Sequence, residues 1–390
     1  MLGPGTRLQP RRIRRGAALT LVCTCALAAG AATGVWGEGA RTDGQLAGTR
    51  SAAFSAERDA VEQAAAEALA DGKSVKDAAE EVVSRSGDRW GTVYDQGEYA
   101  EFERALDGEY TGVGLWAERR RDGRIEVSRV QPGGPAELAG VRAGDRIRTI
   151  DGRRIAGRPV GAVVSLLRGD GESAVVGTSV TLRLERAGRT WTETLRRARL
   201  TTEAVTVRQL GTGVTLIKVA SFTKGSGERV RDAVRAAPAG AGVLLDLRGN
   251  TGGLVSEAVT AASAFLDGGL VATYDVRGAQ RALYAEPGGD TGRPLVALVD
   301  GGTMSAAEIV TGALKDRGRA VTVGSRTFGK GSVQMPTELP DGSVAELTVG
   351  HYRTPAGHSV DGRGITPDLA VSERAEEKAR TVLSGLGTRS

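Results

Sequence analysis

Residues 295–310, with the sequence LVALVDGGTMSAAEIV, contain an apolar run, a glycine turn and a helix-forming segment in direct succession. The five residues from Leu295 to Val299 are all apolar, which is typical of a strand buried on both faces. Gly301 and Gly302 indicate a turn, and residues 306–315 have the composition of a helix. Together they predict one strand-turn-helix unit of an α/β layer.

Apolar strands and helices alternate on both sides of this unit. Strands are predicted at 214–219, 243–247 and 321–323, and a helix at 254–266 carries Leu254, Ala258, Ala261 and Phe265 on one face. This alternation predicts an α/β (α+β) core at 198–376 with some parallel strand pairing. The remaining residues, 377–390, are interpreted as a C-terminal tail.

Residues 111–197 have a different pattern, with short alternating strands and many glycine turns. Ile125 and Val127 alternate with polar neighbours, and a short helix from Pro135 to Ala139 is closed by Gly140. The order of these elements resembles that of a bacterial PDZ domain. Residues 172–176 look like an insertion in this pattern.

In the PDZ family, a glycine-rich loop presents backbone N–H groups to the C-terminal carboxylate of a peptide, which adds a strand to a sheet edge. The residues of this chain that match that loop are Gly112, Val113, Gly114 and Leu115. The resemblance therefore implies that residues 111–197 bind the C-terminal tails of proteins.

The N-terminal segment predicts export. Residues 1–37 contain five arginines and no acid, followed by an uncharged apolar run that includes Cys23 and Cys25. This pattern fits a cleavable signal peptide or a membrane anchor, and either one places the body outside the cytoplasm. Membrane contact is then confined to this segment.

Residues 38–110 are interpreted as a linker, up to about residue 50, and an N-terminal helical region. Two alanine-rich helices are predicted between 51 and 84, interrupted at Asp71-Gly72. Amphipathic pairs of this kind commonly pack on a neighbouring domain or subunit, which leaves a homo-oligomer open.

Net charge gives no indication of a nucleic-acid partner. Five of the 52 basic residues lie in the leader, so the 47 that remain balance the 47 acidic residues. A neutral body lacks the basic surface that nucleic acid requires.

Two segments carry the chemistry that stands out. Only seven of the 52 basic residues are lysines, and Lys330 lies between Gly329 and Gly331. A lysine can lose its proton and act as a base, whereas an arginine cannot. Ser305 precedes the helix at 306, where free backbone N–H groups stabilise an oxyanion, although Ser305 with Glu308 also fits a structural capping box.

Several motifs occur in the order found in the C-terminal processing peptidases, also called tail-specific proteases. These motifs are residues 246–253, Ser305 with residues 308–310, residues 327–331 with Gln334, and residues 352–357 with 364–368. The resemblance extends from about residue 90 to 371 and includes the PDZ-like insert. It implies a serine-lysine peptidase core of crotonase-like type.

Carried over by motif, the nucleophile of this family is Ser305 and the general base is Lys330. Gln334 matches the glutamine that orients the lysine amine, and the backbone N–H groups of Gly253 and Ala306 match the oxyanion donors. Because free lysine titrates near 10.4, a base that works near neutrality needs a pKa of about 7, which burial beside Phe328 and Val333 would favour. The mechanism implies neither cofactor nor metal.

These observations predict an exported serine endopeptidase that selects substrates by their C-terminal tails. Two alternatives stay open: a non-catalytic PDZ scaffold, and a thioester hydrolase or ligase of the related crotonase-like architecture. The lack of a nucleotide-binding motif disfavours the second alternative.

Overall fold

The computed structural model describes residues 44–120, 122–158, 160–169, 175–211, 213–276 and 279–387. Side chains are described from residue 56 onward, apart from those of residues 160 and 161 and of the gaps between these ranges. The predicted leader at 1–37 therefore lies outside the described residues, as does most of the predicted insertion at 172–176. No helix among the described residues combines the length and the apolarity that crossing a bilayer would require.

The described residues fold into two units, 111–200 and 44–110 with 201–387. The elements up to residue 112 are α1 (Gly44–Ala70), α2 (Val75–Ser86), β1 (Thr92–Tyr94), α3 (Gln96–Leu106) and β2 (Glu109–Gly112). Next come β3 (Leu115–Arg119), β4 (Ile125–Val130), α4 (Pro135–Leu138), β5 (Arg146–Ile150), β6 (Arg153–Arg154), α5 (Val160–Arg168), β7 (Ser179–Arg186), β8 (Arg189–Arg196) and β9 (Ala198–Thr201).

The rest of the chain contains β10 (Val205–Gln209), β11 (Val214–Val219), α6 (Ser226–Ala236), β12 (Gly242–Asp246), α7 (Val255–Ser263), β13 (Leu270–Val276) and β14 (Ala279–Tyr284). It continues with β15 (Leu295–Val299), α8 (Ala306–Asp316), β16 (Val321–Gly324), β17 (Ser332–Glu338), β18 (Val344–Arg353), β19 (Leu369–Ala370) and α9 (Ala375–Gly387). The strands and helices predicted in the core are confirmed, with ends that differ by up to three residues.

The larger unit is built on a six-stranded sheet in the order β10-β11-β12-β15-β16-β19. Its strands from β11 to β19 are parallel, and β10 is antiparallel to β11. Strand residues alternate between the two faces: Val243 and Leu245 pack into one apolar cluster with α6, α7 and α8, while Leu244 packs with α9 on the other face. Burial on both faces explains why these strands are apolar throughout.

A second, antiparallel sheet has the order β1-β18-β13-β14, and β17 pairs with β18. Strand β1 precedes residue 111 and pairs with β18, so that Thr92 lies opposite Glu346. The chain before the PDZ-like unit is therefore part of the same unit as the core that follows it.

The smaller unit, 111–200, contains the sheet β3-β4-β5-β7-β8, with β6 paired to β5. Its core includes Ile147, Leu182 and Leu184 of the sheet and Val163 of α5. Arg197 is 3% exposed, and its guanidinium donates to the carbonyls of Leu166 and Leu167 at the end of α5. This arginine satisfies carbonyls that have no partner within the helix.

Two predictions made from sequence need correction, the extent of the linker and the C-terminal tail. The break between α1 and α2 at residues 71–74 is confirmed, but the predicted linker is too long, because residues 44–50 already belong to α1. The C-terminal tail at 377–390 is wrong for residues 377–387, which lie in α9. Ala379 and Leu383 of that helix are buried against the parallel sheet.

Candidate active site

Ser305 lies in the turn between β15 and α8 and has a strained backbone. Its φ is 57° and its ψ is −121°, which L-residues rarely adopt, and its side chain is buried. An ordinary N-cap serine needs no such strain: Ser74 caps α2 from an extended conformation, with φ −66° and ψ 116°. Strain of about 1–3 kcal/mol that capping does not require is typical of a functional residue.

Glu308 connects the serine turn to the lysine loop. Its Oε2 accepts hydrogen bonds from the backbone N–H groups of Ser305, at 3.0 Å, and Lys330, at 2.9 Å. Its Oε1 accepts from the N–H of Gly329, at 2.8 Å, and from the hydroxyl of Thr327. One buried carboxylate therefore fixes the backbones of Ser305 and Lys330 relative to each other.

Burial raises the pKa of Glu308, and these four hydrogen bonds oppose that rise. From sequence, Glu308 is predicted to cap the helix with Ser305, and it lies in the family motif at 308–310. The bonds to residues 327–330 are made by backbone groups and one hydroxyl, so the spacing of residue types does not predict them.

Lys330 is fully buried, and its Nζ lies 4.9 Å from the centroid of the Trp90 ring. Trp90 also makes an edge contact with Phe328, with 5.8 Å between ring centroids. Phe328 itself is 46% exposed, so the expected wall of Phe328 and Val333 is incomplete without Trp90. Burial disfavours the charged ammonium and the indole face favours it, so the two surroundings act in opposite directions.

Gln334 lies on β17 next to a register shift between Val333 and Gln334. Its buried Nε2 donates to Ser332 Oγ at 2.7 Å and to Thr348 Oγ1 at 3.2 Å. Its Oε1 is buried and has no hydrogen-bond partner within the described residues. The structure thus places Gln334 in the same buried region as Lys330 without a hydrogen bond from the lysine amine to Gln334 Oε1.

The glycine pair at 252–253 packs tightly against the serine turn. A Cβ on Gly252 would lie 2.9 Å from Ser305 Cβ and 3.1 Å from the backbone N of Ala306. Gly253 has φ 129°, and a Cβ there would lie 2.3 Å from the carbonyl oxygen of Phe222. Glycine is therefore required at both positions.

The backbone N–H groups in this region differ in their hydrogen bonding. Gly252 N donates to Asn250 Oδ1 at 2.8 Å. Among the described residues, the N–H groups of Gly253 and Ala306 have no such acceptor. Of the two glycines, Gly253 is thus the one whose N–H lacks an acceptor among the described residues, as does that of Ala306 at the start of α8.

Further contacts hold the serine turn against its neighbours. Asp300 Oδ1 accepts from the N–H groups of Gly249 and Gly302, each at 2.9 Å. The hydroxyl of Tyr352 donates to the carbonyl oxygen of Ser305 at 3.1 Å. The loops that carry Gly249, Ser305 and Lys330 follow β12, β15 and β16. They therefore lie at the carboxyl ends of parallel strands, where sites form in open α/β sheets.

The smaller unit contains the residues proposed for peptide binding. Gly112 ends β2, Leu115 begins β3, and Gly114 between them has φ 73°. Val113 is buried and its carbonyl accepts from Ala136 N, at the start of α4. Their role in binding a carboxylate stays a prediction.

Comparison with known proteins relates these features to a family. Residues 213–371 match peptidase family S41, and residues 126–186 match the PDZ domain. The chain is 32% identical over 304 residues to the carboxy-terminal processing protease CtpA of Bacillus subtilis, covering 77% of this chain and 64% of that protein. It is 37% identical over 297 residues to the chloroplastic C-terminal processing peptidase of Tetradesmus obliquus, covering 69% and 62% of the two proteins.

Among solved structures, the fold is similar to that of a photosystem II D1 C-terminal processing protease. The TM-score is 0.52 at 28% identity, and the match covers 90% of this chain and 98% of that one. The chain spans slightly less than two thirds of the length of the first curated relatives that it matches. The resemblance noted in the sequence is confirmed at the level of domains: residues 213–371 are a domain of peptidase family S41, and residues 126–186 are a PDZ domain.

Proposed function

We propose that this chain is an exported serine endopeptidase that cleaves proteins recognised by their C-terminal tails. The observation that carries the proposal is the strained Ser305 backbone, held through Glu308 to the backbone of a fully buried Lys330. A scaffold has no use for this arrangement, and an acyl-transfer enzyme needs it. The names of the relatives, which are C-terminal processing proteases, agree with this reaction.

In the proposed mechanism, the neutral amine of Lys330 removes the hydroxyl proton of Ser305. The serine oxygen then attacks the carbonyl carbon of the scissile peptide bond and forms a tetrahedral oxyanion. The ammonium of Lys330 returns the proton to the leaving amine as the C–N bond breaks. Water then hydrolyses the acyl-enzyme by the same proton route and restores Ser305.

The oxyanion needs donors that are already in place. The N–H groups of Gly253 and Ala306 lie on the two backbones that meet at Ser305, and among the described residues neither has a protein acceptor. Removal of one donor of this kind from a serine protease costs about 100-fold to 1,000-fold in kcat. We assign these two groups to the oxyanion.

The proposed partners follow from the PDZ domain and the leader. The loop from Gly112 to Leu115 would bind the tail carboxylate, and residues 1–37 would direct the body out of the cytoplasm, with membrane contact only there. We also propose that the helical N-terminal region forms the contact between copies of the chain in a homo-oligomer. The chemistry uses only side chains and backbone groups of this chain, and neither a cofactor nor a metal enters a step.

The decisive experiment measures turnover of a protein substrate with an apolar C-terminal tail by wild type and Ser305→Ala. We expect the variant to bind the tail with unchanged affinity and to show no cleavage. A wild type that binds tails and never cleaves them would instead support the PDZ scaffold. Acylation of Ser305 by a thioester, with no acylation by a peptide-derived probe, would support the crotonase-like alternative.

A further inference from the structure

One turn, formed by residues 87–91 between α2 and β1, contacts both Lys330 and a hydrogen-bond partner of Gln334. Trp90 places its ring 4.9 Å from Lys330 Nζ. Asp88, two residues earlier, bonds to Thr348 on β18. This turn precedes the residues 213–371 that match the peptidase family, so that match assigns it no role.

The carboxylate of Asp88 accepts every hydrogen bond that it makes here. Its Oδ2 accepts from Thr348 N at 2.8 Å. Its Oδ1 accepts from Thr348 Oγ1 at 2.8 Å and from Trp90 N at 2.9 Å. An ionised carboxylate cannot donate, so the hydroxyl proton of Thr348 must point toward Asp88.

This proton direction decides which way the Gln334 amide faces. Because the Thr348 hydroxyl gives its only proton to Asp88, it can only accept from Gln334. The group of Gln334 that lies 3.2 Å from Thr348 Oγ1 must therefore be the Nε2 amide, as observed. The same amide also donates to Ser332 Oγ at 2.7 Å.

The opposite end of the amide is left as a buried acceptor without a partner. Gln334 Oε1 has no hydrogen bond within the described residues, and Gln334 is fully buried. A buried carbonyl without a partner costs about 1–3 kcal/mol, so its retention indicates that another group uses it. Catalytic hydrogen bonds are often absent before substrate binds and form in the reacting complex.

We propose that Asp88 is a positioning residue that acts through Thr348 to keep Gln334 Oε1 directed at the lysine amine. The inference rests on the proposed function, in which Lys330 is the base. In the reaction, Oε1 accepts one N–H of the amine, which aims the nitrogen lone pair at Ser305. Asp88 touches no reacting atom and works only by fixing the direction of two hydrogen bonds.

Asp88→Asn can reverse the direction of these two hydrogen bonds with little change in the shape of the side chain. One carboxylate oxygen becomes an NH₂ group. If the remaining oxygen accepts from the Thr348 N–H, the NH₂ group takes the place of Oδ1, where it donates to Thr348 Oγ1 and opposes the Trp90 N–H. The Thr348 hydroxyl then turns its proton toward Gln334, whose amide must flip and present Nε2 to the lysine. If the introduced amide faces the other way, its NH₂ group opposes the Thr348 N–H while its oxygen still accepts from the Thr348 hydroxyl. Thr348→Val is therefore the variant that removes the link whichever way the amide faces.

The experiment measures kcat and KM on a tailed protein substrate, acylation by a peptide-derived probe, and Tm. We expect Asp88→Asn to lower kcat by about 10-fold to 100-fold, part of the contribution of a well-placed proton acceptor, with KM within about twofold. Thr348→Val should give a similar loss, whereas Thr348→Ser, which keeps the hydroxyl, should retain kcat within about twofold.

The test that separates positioning from structural support repeats Asp88→Asn in a Gln334→Ala background. If Asp88 acts through Gln334, adding Asp88→Asn to Gln334→Ala lowers kcat no further, because the effects of coupled residues are non-additive. Asp341→Asn is the matched control: Asp341 accepts from the N–H and hydroxyl of Ser343 in the β17–β18 turn. This control should leave kcat unchanged.

Equal losses from Asp88→Asn in both backgrounds, together with a lowered Tm, would overturn the proposal in favour of a structural role. Full activity of Thr348→Val beside an inactive Ser305→Ala would overturn this inference alone. Undiminished cleavage by Ser305→Ala would overturn the proposed function, and with it this inference.

Discussion

Replacement of Glu308 by glutamine tests whether one carboxylate holds the nucleophile and base together. Glutamate accepts four hydrogen bonds, two on each oxygen. Glutamine has one oxygen, so two of the four donors would face an NH₂ group. At about 1–3 kcal/mol for each buried donor left unpaired, the loss is about 2–6 kcal/mol, and removal of a buried charge offsets part of it.

We therefore expect Glu308→Gln to lose about 2–4 kcal/mol of unfolding free energy. The lysine loop loses hydrogen bonds whichever way the glutamine amide faces, and Ser305 loses its bond in one of the two orientations. We therefore expect kcat to fall by about 100-fold or more, as for a displacement of about 1 Å. Urea unfolding and turnover of a tailed substrate measure the two effects.

Glu257→Gln supplies the matched control. Glu257 accepts from Gly225 N at 2.8 Å and Gly227 N at 2.7 Å, so it also holds a loop by its carboxylate. Its replacement should cost about 1–3 kcal/mol of stability and leave kcat within about twofold. A Glu308→Gln protein with normal kcat would refute the argument, and so would a loss of kcat that Glu257→Gln shares.

The remaining predictions concern the base, the peptide loop and acid stability. Lys330→Arg should be as inactive as Lys330→Ala in the turnover assay, because a guanidinium stays charged; activity in the arginine variant would exclude the lysine as base. Gly114→Asp should raise KM for tailed substrates several-fold relative to Gly114→Asn, which has the same shape without the charge; equal KM values would place carboxylate binding elsewhere. Burial alone would raise the pKa of Asp246, but its hydrogen bonds to Arg248 and the nearby Lys218 lower it. Its stabilising contribution is thus present above the unfolded pKa of about 3.9 and lost as pH falls through the lowered value, so urea unfolding of Asp246→Asn should change less between pH 5 and pH 3 than that of wild type.

The pH dependence from Glu308 has the opposite sign. Burial raises its folded-state pKa above the ordinary value of 4.5. Its contribution to the unfolding free energy is therefore full below that value and declines as pH rises through the raised pKa. Urea unfolding at several pH values should show this decline in wild type and not in Glu308→Gln.

The parallel sheet was predictable because each strand carries its own signal. The runs at 214–219 and 295–299 are apolar or nearly so, and their bounds agree with β11 and β15. Glycine turns and the helix after Ser305 are local features as well. The α9 helix carries a local signal as well, since Ala379 and Leu383 are spaced four apart.

The rest of the site depends on contacts that no local pattern encodes. Trp90 reaches Lys330 because β1 pairs with β18, across more than 250 residues of sequence. The strain at Ser305 is a property of the folded backbone, and the same residues are compatible with an ordinary cap. Gln334 lies beside a register shift in β17, which spacing does not reveal, and the contact of its amide with Thr348 depends on the pairing of β17 with β18.

The pairing of β1 with β18 also governs when the protein can first become active. Thr348 and Asp88 are 260 residues apart, so the lysine site lacks one wall until almost the entire polypeptide has been synthesised. A ribosome-bound fragment that ends before residue 344 has no β18 to dock against. Delayed maturation of this kind would keep an unfinished chain from cleaving its neighbours while it is still being synthesised.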